Sequence, residues 1–189
     1  MSIHDNTKKS FANAMKQLLL TKDLQQVRVK ELCDMVGAKR PTFYYHFQDK
    51  YELISWIYEQ DVKQALETTK GRYNVVQLEH LLTTMQKEQT FYQRAFVDVS
   101  QNNLYTHIHE TNLRLFSEII KEQFQLETLS EEQIFSLGFY THAWIGGLHD
   151  WIFKKYTVSA QEYASWMYAN ISHLNLSDIH IAEYKHTNQ

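Results

Sequence analysis

At 189 residues and 43% hydrophobic composition the chain has material for one or two compact units, while one proline and five glycines leave too few turn residues for an all-β fold. Its net charge of −3 hides an asymmetry: residues 1–50 hold nine Lys/Arg against five Asp/Glu (+4), and the remainder ten against seventeen (−7). A basic end on an acidic body is the pattern of a nucleic-acid-binding head on a domain with another task. No apolar run approaches the ~20 residues that span a bilayer.

Leu, Gln, Glu, Lys and Ala recur at helical spacing, so the expected fold is all-α. Thr7 to Leu20 places Phe11, Met15 and Leu18 or Leu19 on one face and Lys8, Lys9 and Lys16 on the other, a first supporting helix. Thr21 to Gln26 is a loop. Val29 to Lys50, VKELCDMVGAKRPTFYYHFQDK, reads as two short helices about a turn at Gly37. Val29, Leu32, Val36, Phe43 and Phe47 supply the apolar positions of a packed helix pair. Gly37 reverses the chain without a Cβ penalty, and Pro41 is tolerated in a first helical turn, where its missing N–H has no partner to lose. Cys33, the single cysteine, cannot form an intrachain disulfide and reads as a small buried apolar side chain.

The second helix of the pair leaves Lys39, Arg40, Thr42, Tyr44, Tyr45 and His46 exposed, a basic, hydroxylated and aromatic surface. A helix-turn-helix lays such a helix in the DNA major groove. Lys39 and Arg40 can donate to guanine O6 and N7, and Thr42 can touch a thymine methyl or a phosphate. Tyr44, Tyr45 and His46 suit the sugar-phosphate backbone. Arg28, at the start of the first helix of the pair, would meet a phosphate together with free backbone N–H groups.

Tyr51 to about Thr69 is a long connecting helix with Asp49 as N-cap, Glu52 completing a capping box, and Gly71 at its end. Further helices are expected at about Val75–Lys87, Gln89–Ser100, Leu104–Gln125, Ser130–Lys155 and Ser159–Leu174, with a break at Asn102-Asn103. Ser130-Glu131-Glu132-Gln133 is another capping-box pattern. Within the fourth of these helices Phe135, Phe139, Leu148 and Ile152 are read as one face. Its Gly146-Gly147 pair costs roughly 1 kcal/mol per glycine relative to Ala, which close approach of another backbone would offset.

The run GAKRPTFYYHFQDKYEL resembles the recognition-helix signature of the TetR/AcrR family of bacterial transcriptional regulators, on Gly37, Thr42, Phe43, Tyr44, Tyr45, His46, Phe47 and Lys50. Lys39 and Arg40 stand where many members carry small or polar residues. The resemblance implies DNA contacts at Pro41, Thr42, Tyr44, His46 and Lys50. Lys50 opens a helix and would bring its charge to a phosphate. The implied architecture is an N-terminal three-helix helix-turn-helix DNA-binding domain over residues 1–52 and a C-terminal helical-bundle regulatory and dimerisation domain over residues 53–189. In the family the last two long helices pair between subunits, which assigns Trp144, Gly146, Gly147, Trp151, Tyr163 and Trp166 to a dimer interface. An effector pocket between the middle helices would draw on Met85, Phe91, Tyr92, Phe96, Tyr105, Phe116, Phe139 and Tyr140. The short aromatic-rich body also resembles regulators of dihydroxyacetone kinase operons, which answer to a protein co-regulator.

The resulting expectation is a cytoplasmic, homodimeric repressor that binds a palindromic operator in double-stranded DNA and is controlled by a small-molecule or protein effector. The alternative is an activator, or a factor dependent on a co-regulator and without a ligand pocket of its own. No glycine-rich phosphate loop, nucleophile motif or compact metal-ligand spacing is present in the sequence. No enzyme, cofactor, metal site or membrane partner is therefore expected.

Overall fold

The computed structural model describes residues 3–69, 73–97 and 104–173. Every regular element among them is helical: α1 (Ile3–Leu18), a short 3-10 turn (Leu24–Gln26), α2 (Val29–Val36), α3 (Arg40–His46), α4 (Lys50–Leu66), α5 (Val75–Lys87), α6 (Gln89–Phe96), α7 (Leu104–Phe124), α8 (Glu131–Ile152) and α9 (Ala160–His173). The all-α expectation holds. α1 starts four residues before Thr7, no proline or glycine intervening to stop it. Gly71 and Asn102-Asn103 lie outside the described residues.

Caps explain several of the boundaries. Gly37 ends α2 at φ 70°, with its own N–H reaching Asp34 O and the Ala38 N–H reaching Cys33 O at 2.9 Å. Asp49 Oδ1 accepts from the N–H groups of Tyr51 and Glu52 at 2.8 and 2.9 Å, while the Glu52 carboxylate reaches back to the Gln48 N–H at 2.5 Å. Ser130 and Gln133 form the expected reciprocal box, at 3.2 and 2.8 Å. Two further boxes start α5 and α9: Asn74 with Gln77, and Ser159 with Glu162.

The helices gather into two compact units: Met1–Lys63 with Lys87–Thr111, and Gln64–Gln86 with the described residues from Asn112 onward. The first is built on Phe11, Met15, Leu19, Leu32, Phe43, Phe47 and Leu53, all buried. Phe11 meets Phe43 edge-on, 5.2 Å between ring centroids, so α1 packs on α3 through its first aromatic. α6 is tied into the same unit by polar links. Arg94 donates to the Leu19 and Lys22 carbonyls at 3.2 and 3.3 Å, Lys16 pairs with Glu88 at 2.5 Å, and the Tyr92 hydroxyl donates to Asp61. Two of those links satisfy carbonyls left open just past the end of α1.

The second unit buries Leu78, Leu81, Leu82, Met85, Leu115, Leu137, Trp144, Ile145, Leu148, Trp151 and Ile152. Gln77, itself buried, donates to the Leu66 and Thr69 carbonyls at 2.7 and 3.2 Å and closes the end of α4. The reading of Phe135, Phe139, Leu148 and Ile152 as one face of α8 is corrected: Leu148 and Ile152 are buried, whereas Phe135 and Phe139 are 75% and 62% exposed. At about 100° per residue, the nine positions from 139 to 148 carry the chain half a turn round the helix.

Candidate functional site

α2 and α3 meet through apolar faces and present what remains. Phe43 and Phe47 are buried beneath α3, while Tyr44 and Tyr45 stand out, 48% and 73% exposed. Lys39 caps α3, and Arg40 and Pro41 occupy its first turn. Lys39, Arg40 and Pro41 are exposed, and Thr42 and His46 half-buried at the sides of the same helix. The Arg40 guanidinium donates to the Tyr44 hydroxyl at 3.2 Å and lies over its ring, 5.7 Å from the centroid. That contact holds a cation and a phenol together on one turn, with further donor capacity left on the guanidinium. Tyr45 meets the His46 ring edge-on at 5.0 Å. Seven of the nine expected DNA contacts, Lys39 to His46, thus share this one short surface.

Arg28 stands exposed at the N-cap of α2, where its own N–H donates to Glu31 Oε2 at 3.0 Å. The Glu31 carboxyl also accepts from the Lys22 ammonium, and these hydrogen bonds hold its pKa below the ordinary glutamate range. Lys50 stands at the start of α4. It is half-buried, burial lowers its pKa, and its ammonium donates to the carbonyls of Leu24, Val27 and Gln25 at 2.7, 3.1 and 3.2 Å. Cys33 is buried in α2, and burial raises its thiol pKa.

The second unit contains a cavity of about 600 Å³ lined from α7, α8 and α9 with Tyr73 at its edge. Of the expected effector liners, Phe116, Phe139 and Tyr140 line it. Phe91, Tyr92 and Phe96 are core residues of the first unit, Met85 is buried in the second without reaching the cavity, and Tyr105 stacks on His109 at 6.1 Å. The sequence reading missed Ile119, Ile120, Phe124, Leu126 and Leu129, whose helical spacing on α7 and position before α8 could have signalled them. No charged side chain is among the liners. Polar groups come from Gln133, Ser136, Asn170 and the tyrosine hydroxyls, an arrangement suited to an apolar ligand with few hydrogen bonds.

The residues expected at a dimer interface divide in two. Trp144, Trp151 and Tyr163 are buried inside the protomer: Trp144 meets Phe116 edge-on at 5.5 Å, and Trp151 stacks on Tyr163 at 5.5 Å and 7°. Gly147 packs against Tyr163. Gly146 is exposed with nothing near it, Trp166 is 49% exposed, and Phe135, Phe139 and Ala143 extend this exposed face along α8. Among the described residues no group of His, Cys, Asp or Glu could hold a metal ion, and no helix is long and apolar enough to cross a membrane.

Residues 13–55 match the family model described as bacterial regulatory proteins, tetR family, and residues 76–173 match that of a transcriptional regulator C-terminal region. The chain belongs to the TetR family. Members are transcriptional regulators that bind DNA, not enzymes. A TetR transcriptional regulator from Rhodococcus sp. RHA1 shares the fold at TM-score 0.66 and 16% identity, over 91% of this chain and 97% of that one. A solved structure of the dihydroxyacetone kinase operon activator DhaS shares it at TM-score 0.56 and 24% identity, over 93% and 97%. The HTH-type dhaKLM operon transcriptional activator DhaS of Lactococcus lactis subsp. lactis (strain IL1403) is 34% identical over 92 residues, 48% of this TetR-family chain. That similarity spans about half the length of the curated relative, 49%.

Proposed function

We propose that this TetR-family regulator binds a palindromic operator as a homodimer, through a DNA-binding domain at residues 1–52, and is controlled by an effector through residues 53–189. The observation that carries the reading is the surface of α3, where Lys39, Arg40, Tyr44 and Tyr45 stand exposed over buried Phe43 and Phe47. Such a helix reads the major groove, with Thr42 and His46 at its sides and Arg28 at a neighbouring phosphate. Two copies are required because half-sites lie about one turn of DNA apart. The exposed α8–α9 face of Phe135, Phe139, Ala143, Gly146 and Trp166 supports self-association, since an apolar surface of that kind is otherwise left in water. The uncharged cavity supports an apolar small-molecule effector, which acts only through unequal affinity for the DNA-competent and incompetent states.

Operator occupancy by a protein without an activating partner represses by exclusion. A second reading, activation, is favoured by one observation: the similarity to DhaS, which is named as an activator. A reporter driven by the bound promoter, in cells with and without this protein, separates the two. Lower expression with the protein present supports repression, and higher expression supports activation.

A further inference from the structure

Two sets of donors at the start of α4, the Lys50 ammonium and the N–H groups of Tyr51 and Glu52, would have to be free to meet a DNA phosphate together, and both are committed inside the protein. The first is the ammonium. It has three N–H donors, and three carbonyls of the turn between α1 and α2 receive them: Leu24 at 2.7 Å, Val27 at 3.1 Å and Gln25 at 3.2 Å. The second is the set of backbone N–H groups. Those of Tyr51 and Glu52 donate to Asp49 Oδ1 at 2.8 and 2.9 Å. Asp49, just before the helix, and Glu52, in its first turn, also place two carboxylates there, which opposes an incoming anion where a bare helix start would attract it.

The turn that Lys50 holds is the one that sets α2. Leu24 and Val27 are buried anchors on either side of it, and α2 follows within two residues of Val27. Within the 3-10 turn Leu24 O also accepts the Val27 N–H at 3.2 Å, so the ammonium adds to a turn that is only three residues long.

We propose that Lys50 is a positioning residue: its ammonium fastens the start of α4 to the α1–α2 turn and so fixes the presentation of α2 and α3, without neutralising a phosphate. The proposal rests on the DNA-binding reading for its functional consequence, and on the hydrogen-bond geometry alone for the brace.

The test compares the full-length protein with Lys50→Met, which keeps the stem and loses all three donors. Three properties are read: the thermal midpoint, amide hydrogen exchange at residues 24–28, and operator affinity across a salt series. The brace predicts a midpoint lower by about 4 °C or more and faster exchange in the turn. It also predicts operator binding weakened about tenfold or more, with the slope of log affinity against log salt unchanged. A phosphate ligand predicts the reverse: an unchanged midpoint and exchange, and a slope reduced by about 0.9 for the one lost contact. That result overturns the proposal. If the wild-type protein binds no operator, the DNA-binding reading fails, while the midpoint and exchange still decide the brace. Should Lys50→Met not fold, Lys50→Gln, which retains one NH₂ group, takes its place with the same readouts.

Discussion

The Tyr163 hydroxyl donates to the Gly147 carbonyl at 2.8 Å and joins α9 to α8 where a side chain on that glycine would stand in the way. A Cβ at Gly147 would lie 3.2 Å from the Tyr163 oxygen and 3.6 Å from the Met167 methyl, whereas one at Gly146 would meet nothing within 4 Å. The adjacent glycines therefore do different work. Gly147→Leu should destabilise the protomer by about 1–3 kcal/mol through overpacking, seen as a lower urea midpoint. Gly146→Glu should leave helix content intact and, by placing a charge on the exposed face, shift the protein to monomer in sedimentation. A Gly146→Glu protein that stays fully dimeric would remove this face from the interface.

Asp61 is buried, and burial raises its carboxyl pKa, opposed by the Tyr92 hydroxyl that donates to it and by the Lys16 ammonium at 4.0 Å. A carboxyl whose folded pKa exceeds its unfolded one binds its proton more tightly when folded. Its stabilising contribution is complete below the ordinary value of 3.8 and is lost as pH rises through the raised value. Asp61→Asn keeps an oxygen for Tyr92 and cannot ionise. Its stability relative to wild type should rise with pH from about 4 towards neutrality, measured as urea midpoints. A difference that stays flat with pH would show that Asp61 does not titrate in this window.

Tyr92→Phe removes the donor to that carboxylate and leaves a buried charge less well solvated. The expected loss at neutral pH is about 1–3 kcal/mol, without change in the packing of a ring that meets Phe91 and Phe96 at 4.9 and 5.9 Å. The double variant Asp61→Asn/Tyr92→Phe should lose less than the two single effects combined, because the residues share one interaction. Additive losses would place their roles apart.

The cavity lining carries no cation, so ligand charge should decide binding. A neutral fused-ring aromatic such as naphthalene should raise the thermal midpoint, and naphthoate should not, because its carboxylate would be desolvated without a partner. Ser136→Trp, at a lining position the exposed α8–α9 face does not include, should abolish the rise. Equal stabilisation by both compounds would contradict an uncharged site.

Local rules carried much of the architecture. Gly37, Ser130 with Gln133, and Asp49 mark helix ends through groups within five residues of one another, and such pairs are visible in a linear sequence. Asn74 with Gln77 has the same spacing and could have been read with them. The exposed row of α3 was legible too, because Phe43 and Phe47 leave only one face for Lys39, Arg40, Tyr44 and Tyr45. Lys50 was not. The carbonyls that its ammonium meets lie 23 to 26 residues away, and nothing local in the sequence announces them. The aromatics of α6, α8 and α9 failed for a related reason. Helical spacing marks an apolar face but not whether it fills a core, as at Phe91 and Trp151, or remains open, as at Phe135. The buried carboxylate of Asp61 depends on Tyr92, 31 residues away, and left no trace in composition.

Arg40 and Tyr44 are joined on the exposed side of α3, so neither should matter to the fold. Tyr44→Ala and Arg40→Ala should leave the thermal midpoint unchanged and weaken operator binding by about tenfold or more, the 1–3 kcal/mol of a lost groove or backbone contact. Unchanged affinity in both would remove α3 from the groove.

The central claim is sequence-specific DNA binding through α3, and its most direct test is a gel shift with the DNA upstream of the protein's own coding sequence, run across a salt series with excess unrelated DNA. A discrete complex that survives the competitor and is lost in Tyr44→Ala is the predicted result. A complex that the competitor abolishes at every salt concentration, equally for wild type and Tyr44→Ala, would reduce the interaction to general phosphate attraction and contradict the claim.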